Sequence, residues 1–273
     1  MSLSFSVLRI RDFRLMLIAR IFGIMAMQAQ AVIVGWQIYS LTGDPLMLGL
    51  VGLAEALPAI ACALFAGHIV DISRPHFVFC ACIGTIALNS LLLLLFAGGI
   101  IAIPFGNLVA WIFAGVFISG LARSFVMPAS FSLLPQIVSR DKIPAASAWL
   151  TSGFQVEAIT GPAIAGLVYG GYGVRVAWLL PTALMAIAFI MLCTISPHYR
   201  QYRSSEIRDS AYKSIKAGWK FILQNNVLLS IMTLDMFAVL FGGAVAILPV
   251  FADQILHTGS EGFEVTARLK KDW

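Results

Sequence analysis

Long apolar runs alternate along this chain with short polar connections. Seven runs are long enough to cross a bilayer as helices, at roughly 15–39, 46–67, 77–97, 104–127, 146–169, 174–196 and 227–251. A hydrocarbon core about 30 Å thick takes roughly 20 residues of helix at about 1.5 Å each. The connections carry turn chemistry, as in Thr42-Gly43-Asp44-Pro45, Ser73-Arg74-Pro75 and Gly170-Gly171-Tyr172-Gly173. The pattern therefore predicts an all-α membrane protein.

Composition supports that reading. With 60% hydrophobic and 11% charged residues and a mean hydropathy of +0.91, the 273 residues hold more apolar surface than one soluble core can hide. The net charge of +5 does not point to nucleic acid, because the basic residues sit in short loops. Arg9, Arg11 and Arg14 precede the first run, and Arg74, Arg123, Arg140 and Lys142 lie around the connections after the second and fourth. Arg200, Arg203, Arg208, Lys213, Lys216 and Lys220 follow the sixth, whereas the alternate loops carry Arg175. This asymmetry predicts a cytoplasmic amino terminus. The first run resembles a signal peptide at Ala29-Gln30-Ala31, but it stays apolar to Tyr39 and is long enough to span.

Four segments follow: a six-helix bundle over 1–196, a basic cytoplasmic linker over 197–226, a seventh span over 227–251 and a polar tail over 252–273. In the linker, Ala211, Ile215, Trp219 and Ile222 share one helical face and Lys213, Lys216 and Lys220 the opposite one. Such a helix suits an interface with anionic headgroups or a solvated linker. From Phe263 the tail reads FEVTARLKKDW, which leads us to expect a truncated product with impaired activity.

Ionisable groups inside a membrane are costly and mark pathways or interhelical pairs. Glu55, Glu157 and Asp235 are of this kind, with Gln28 and Gln30 adding hydrogen-bonding capacity in the first run. Gly153, Glu157, Gly161 and Ala165 recur every four residues, so one narrow face of the fifth helix is small and polar. It suits either a close helix contact or a cavity wall with a proton-exchanging carboxylate. Arg20 and Arg123 lie near inner helix ends and are expected to extend to the interface. Pro162 should bend the fifth helix. Gly166 and Gly170 form a G-x-x-x-G pair. Cys62, Cys80, Cys82 and Cys193 read as packing residues. No nucleophile and base stand at recognisable spacing, so the chain does not read as an enzyme, and nothing calls for a metal or cofactor.

Several stretches together resemble the major facilitator superfamily, and within it the bacterial multidrug and siderophore (enterobactin-like) exporters. Gly161-Pro162 followed by Ala163, Ile164, Ala165 and Gly166 resembles the antiporter motif of these exporters. Gly67 and Asp71 in GHIVDISRPH match the signature loop after the second helix; Ile72 stands where arginine is usual, and Arg74 and His76 keep part of the basic cluster. Gly120 to Phe125 with Arg123 and Pro128 is similar to the region between the fourth and fifth helices. The resemblance implies two six-helix halves around a central cavity, a gate at Gly67, Asp71, Arg74 and Arg123, a small amphipathic substrate, and proton-coupled efflux across the inner membrane. Two alternatives remain: a seven-helix receptor or sensor, against which the amino-terminal arginines argue, and a half-size protein that pairs with itself or a partner.

Overall fold

The structure is a computed structural model and describes residues 5–103, 106–195 and 223–242. Helix α1 covers Arg11–Thr42, α2 Pro45–Ile72, α3 Pro75–Ala97 and α4 Leu108–Ile137, followed by a long helical stretch, Ile143–Cys193. Two 3-10 turns, Val7–Arg9 and Arg140–Lys142, lead into α1 and the long stretch. The turn between α1 and α2 forms as its residues require. Gly43 takes the left-handed conformation (φ 64) and its N–H closes α1 onto the Tyr39 carbonyl. The Asp44 carboxylate then caps the Leu46 N–H at 2.9 Å, and Pro45 takes the first helical position, where a missing N–H is harmless. The fourth span is displaced from its expected range of 104–127. Asn107 caps the Ala110 N–H at 3.1 Å and fixes the start at Leu108, while the helix runs through Pro128 and Pro135 to Ile137.

The stretch Ile143–Cys193 is two helices. Its one residue with non-helical backbone is Gly173 (φ 78, ψ 175), a region essentially restricted to glycine. The neighbours on α1 show the direction of the chain. Gly153 lies beside Ile21, Gly161 beside Met25 and Gln28, and Tyr169 stacks near Trp36, so the first part climbs parallel to α1. Beyond Gly173 the order reverses, with Trp178 bonded to Gln37 and Ala188 next to Gly23. We call these helices α5 (143–172) and α6 (174–193). The expected break falls where the glycine-rich turn placed it, and the backbone continues helically through Pro162. Five helical stretches among the described residues are long and apolar enough to cross a membrane, and the last contributes two passes. Helix α7 (Asn226–Gly242) is the described part of the seventh span. The rest of that span, the linker helix with Ala211, Ile215, Trp219, Ile222, Lys213, Lys216 and Lys220, and the tail from 252 lie outside the described residues.

Helix α1 occupies the centre, packed on α5 and α6, while α4 packs on α2 and α3, and α3 on α6. Two apolar clusters fill the interior. One, at the end that gathers the basic turns, includes Phe13, Met16, Phe79, Ile83, Leu133, Met185 and Leu192. The other, toward the opposite end, includes Ile33, Ile38, Leu93, Ile112 and Trp178. Large apolar side chains such as Leu53, Leu57, Ile60 and Phe77 face outward. Where such faces meet lipid, no hydrophobic drive joins the helices, so close packing and polar bonds must do so. Glycines allow the approach: a Cβ at Gly161 would fall 2.8 Å from the Met25 carbonyl oxygen, and one at Gly120 would overlap the Glu55 backbone.

Candidate functional site

At the level where the two apolar clusters meet on α1, between Met27 and Ala29, polar side chains from four helices converge. Asn89 of α3 donates through Nδ2 to the Gly115 carbonyl at 3.0 Å and to Ser119 Oγ at 2.9 Å, both on α4. Gln30 of α1 donates to the same hydroxyl at 3.4 Å. One turn further along α4, Arg123 forms an ion pair with Glu55 of α2 and donates to the Met27 carbonyl of α1 at 2.7 Å. The two side chains are 24% and 28% exposed, because they border a cavity of about 250 Å³ whose walls include Gln30, Trp36, Val51, Glu55, Ser119 and Arg123. Apolar walls with a few fixed polar groups are the usual make-up of a small-molecule site. The neutralised pair at the rim can offer hydrogen bonds without a net charge.

A second group lies between α1, α4 and α5. Glu157 is 1% exposed, and its Oε2 has no hydrogen-bond partner among the described residues. Gly153, one turn earlier, leaves room for it: a Cβ there would sit 3.2 Å from Glu157 Oε1 and 3.5 Å from Ile21 Cγ1. Arg20 of α1 is 3% exposed. Its Nη2 approaches Met127 sulfur at 3.3 Å and its guanidinium lies 5.4 Å from the Phe131 ring centre, both on α4, while Nε and Nη1 have no partner among the described residues. Arg20 and Glu157 stand on helices packed against each other, with Ile21 against the Gly153 position one turn before Glu157.

The sequence model of the Major Facilitator Superfamily matches residues 16–267, nearly the whole chain. The chain belongs to this superfamily. It is therefore a multi-pass membrane protein of a family of secondary transporters, which act on small molecules rather than catalyse reactions, and the all-α fold of apolar helices agrees with it. No curated protein matches the chain.

In this major facilitator protein the residues singled out from the sequence fall into separate places. Gln30, Glu55 and Arg123 come together at the cavity. Glu157 and Gln28 lie on the α1–α5 contact, where Gln28 Cβ meets the Gly161 position at 2.9 Å. Asp71 is exposed near the end of α2 and accepts a hydrogen bond from Ser132 of α4 at 3.2 Å. Gly67 has open space around it, and Arg74 stands at the N-cap of α3. Pro162 follows the tight Gly161 contact, Gly166 is buried with nothing close to its Cβ position, and Asp235 is exposed on α7. The expectation that Arg20 and Arg123 extend to the interface is corrected. Arg123 is captured by Glu55 and a main-chain carbonyl, and Arg20 is enclosed beneath α4. Asn89 and Ser119 were missed. The signal was available, since an asparagine within the apolar run LNSLLLLL carries the same desolvation argument as a charge.

Proposed function

We propose that this protein belongs to a proton-coupled exporter of a small amphipathic molecule of the drug or siderophore type. It works in the bacterial inner membrane with its amino terminus in the cytoplasm. The bundle 1–196 provides one wall of the pathway, 197–226 the cytoplasmic connection, 227–251 a further span and 252–273 the tail. The observation that carries this reading is Glu157, a carboxylate 1% exposed on the glycine-lined face that α5 turns to α1. A buried carboxylate is far easier to hold neutral than charged, so taking up or releasing a proton there changes how tightly α5 sits on α1. Gln28 lies on the same contact, and Gln30 and Glu55 line the cavity that receives the substrate; Asp235 is a further coupling candidate. Gly67, Asp71, Arg74 and Arg123 belong to the gate, and Gly161, Pro162 and Gly166 resemble the antiporter motif, which favours export.

The test uses the full chain in liposomes, with and without an imposed pH gradient, following ethidium and a catecholate siderophore as probes. In keeping with the impaired activity expected of this chain, gradient-driven flux of at least one probe is expected to be weak, and to be lost in Glu157→Gln with gradient-independent exchange retained. Equal gradient-driven flux in both proteins would overturn the coupling role of Glu157.

A further inference from the structure

Arg20 and Glu157 are both buried, both carry polar atoms without partners among the described residues, and stand on packed helices. A guanidinium in a low-dielectric interior is stable only where its hydrogens meet acceptors, and sulfur and an aromatic face are weak ones. In this structure Arg20 makes do with Met127 and Phe131. A better acceptor stands on the packed helix: a Cβ at Gly153 would lie 3.2 Å from Glu157 Oε1 and 3.5 Å from Cγ1 of Ile21, the residue after Arg20.

We propose that Arg20 is a two-position partner of Glu157, turned toward Met127 and Phe131 of α4 when the carboxyl is protonated and bonded across to α5 when it is not. This rests on the coupling role of Glu157 proposed above and adds the group that would convert its protonation into a contact between helices. On deprotonation the proton leaves to water in the pathway, and the Nε and Nη1 hydrogens of Arg20 take the carboxylate oxygens. On reprotonation the carboxyl keeps its own hydrogen and the guanidinium returns to α4.

The surroundings leave few competitors. Arg20 shares α1 with Arg11, Asp12 and Arg14, all in the first turn of the helix. The one charged residue of α4, Arg123, is held by Glu55 and Met27. Residues 143–172 contain no charged side chain besides Glu157. Over 174–193 the one charge is Arg175, at the opposite end of the bundle near Gly99. Helix α3 carries no acid or base except His76, bonded to the Leu192 carbonyl at 2.8 Å. On α2, Glu55 is held by Arg123 and Asp71 accepts from Ser132, so among the described residues Arg20 is the charged group of α1 and α4 whose bonds are least met.

The experiment is a double-mutant cycle on the thermal stability of the purified full chain in detergent micelles, repeated from acid to alkaline pH. Arg20→Gln is expected to destabilise the otherwise unchanged chain more than it destabilises Glu157→Gln. That difference should be present at alkaline pH and fade on acidification, and Arg20→Lys should restore most of it. Additive effects at every pH, or a difference that ignores pH, would overturn the proposal. Should Arg20→Gln fail to fold alone, R20Q/E157Q must fold, and its failure would count equally against the idea. The outcome is independent of transport. A coupled pair in a chain whose Glu157→Gln variant keeps gradient-driven flux would sink the function proposed for Glu157, while additive effects with gradient-driven flux lost would sink the two-position role of Arg20.

Discussion

The bundle holds two arginine–glutamate sets and treats them differently. Arg123 and Glu55 meet directly beside a cavity, each about a quarter exposed; a main-chain carbonyl takes a second bond from the arginine, and its Nε is left without a partner among the described residues. Arg20 and Glu157 are nearly sealed, at 3% and 1% exposure, yet leave polar atoms unbonded among the described residues. The first set borders a cavity and its two charges meet directly, so it reads as a brace between α2 and α4. The second has neither advantage, and a buried polar group without its bonds is retained where a protein needs two arrangements of similar energy. Burial alone does not distinguish a structural pair from a switching one; whether the two charges meet does.

Three substitutions sharpen this contrast when unfolding is followed in micelles by circular dichroism against temperature or denaturant. The largest effect belongs to Arg123→Gln, which strands Glu55. Breaking a fully buried pair costs about 3 to 5 kcal/mol, and the partial exposure here brings the expected loss to roughly 2 to 3 kcal/mol. A loss near zero would show that the brace carries no stability. Next comes Gly120→Ala. The added methyl would overlap the Glu55 backbone, so α4 must move away and loosen the same pair, at about 1 to 3 kcal/mol. The smallest is Glu157→Gln measured at acid pH, where the carboxyl is protonated and the amide replaces it at the same volume. We expect about 1 kcal/mol or less. A Glu157→Gln loss as large as that of Arg123→Gln would erase the distinction between the two sets.

Much of this architecture was readable from the chain. Turn residues reported their own conformations: Gly43, Asp44 and Pro45 close one helix and open the next by local chemistry. Gly173 takes a backbone conformation that other residues avoid. The four-residue recurrence of Gly153, Glu157, Gly161 and Ala165 correctly marked the face that packs closely. It could not name the helix that face meets, because α1 is more than a hundred positions away and nothing local encodes it. The same holds for Glu55 and Arg123, 68 positions apart. Each was visible as an expensive residue, but the pairing exists only once α2 and α4 lie side by side. Arg20 was misjudged for a related reason. Its distance along the helix from the membrane edge allowed an outward reach, and only the position of α4 over it, with Met127 and Phe131, closes that route. For the cavity, the sequence supplied Gln30, Glu55 and Arg123 and missed Ser119 and the Asn89 bonded to it, since uncharged polar groups in apolar runs give a weaker mark.

The reversal at Gly173 has a mechanical meaning. Because a single residue separates α5 from α6, no slack exists there, and the two helices are joined at that end like the legs of a pair of dividers. Tilting one must carry the shared apex with it. Any spreading between them is therefore largest at the far end, where α6 finishes near His76 and α5 begins beside the Arg140–Lys142 turn. Inserting even a few flexible residues at Gly173 would turn this lever into two independent rods.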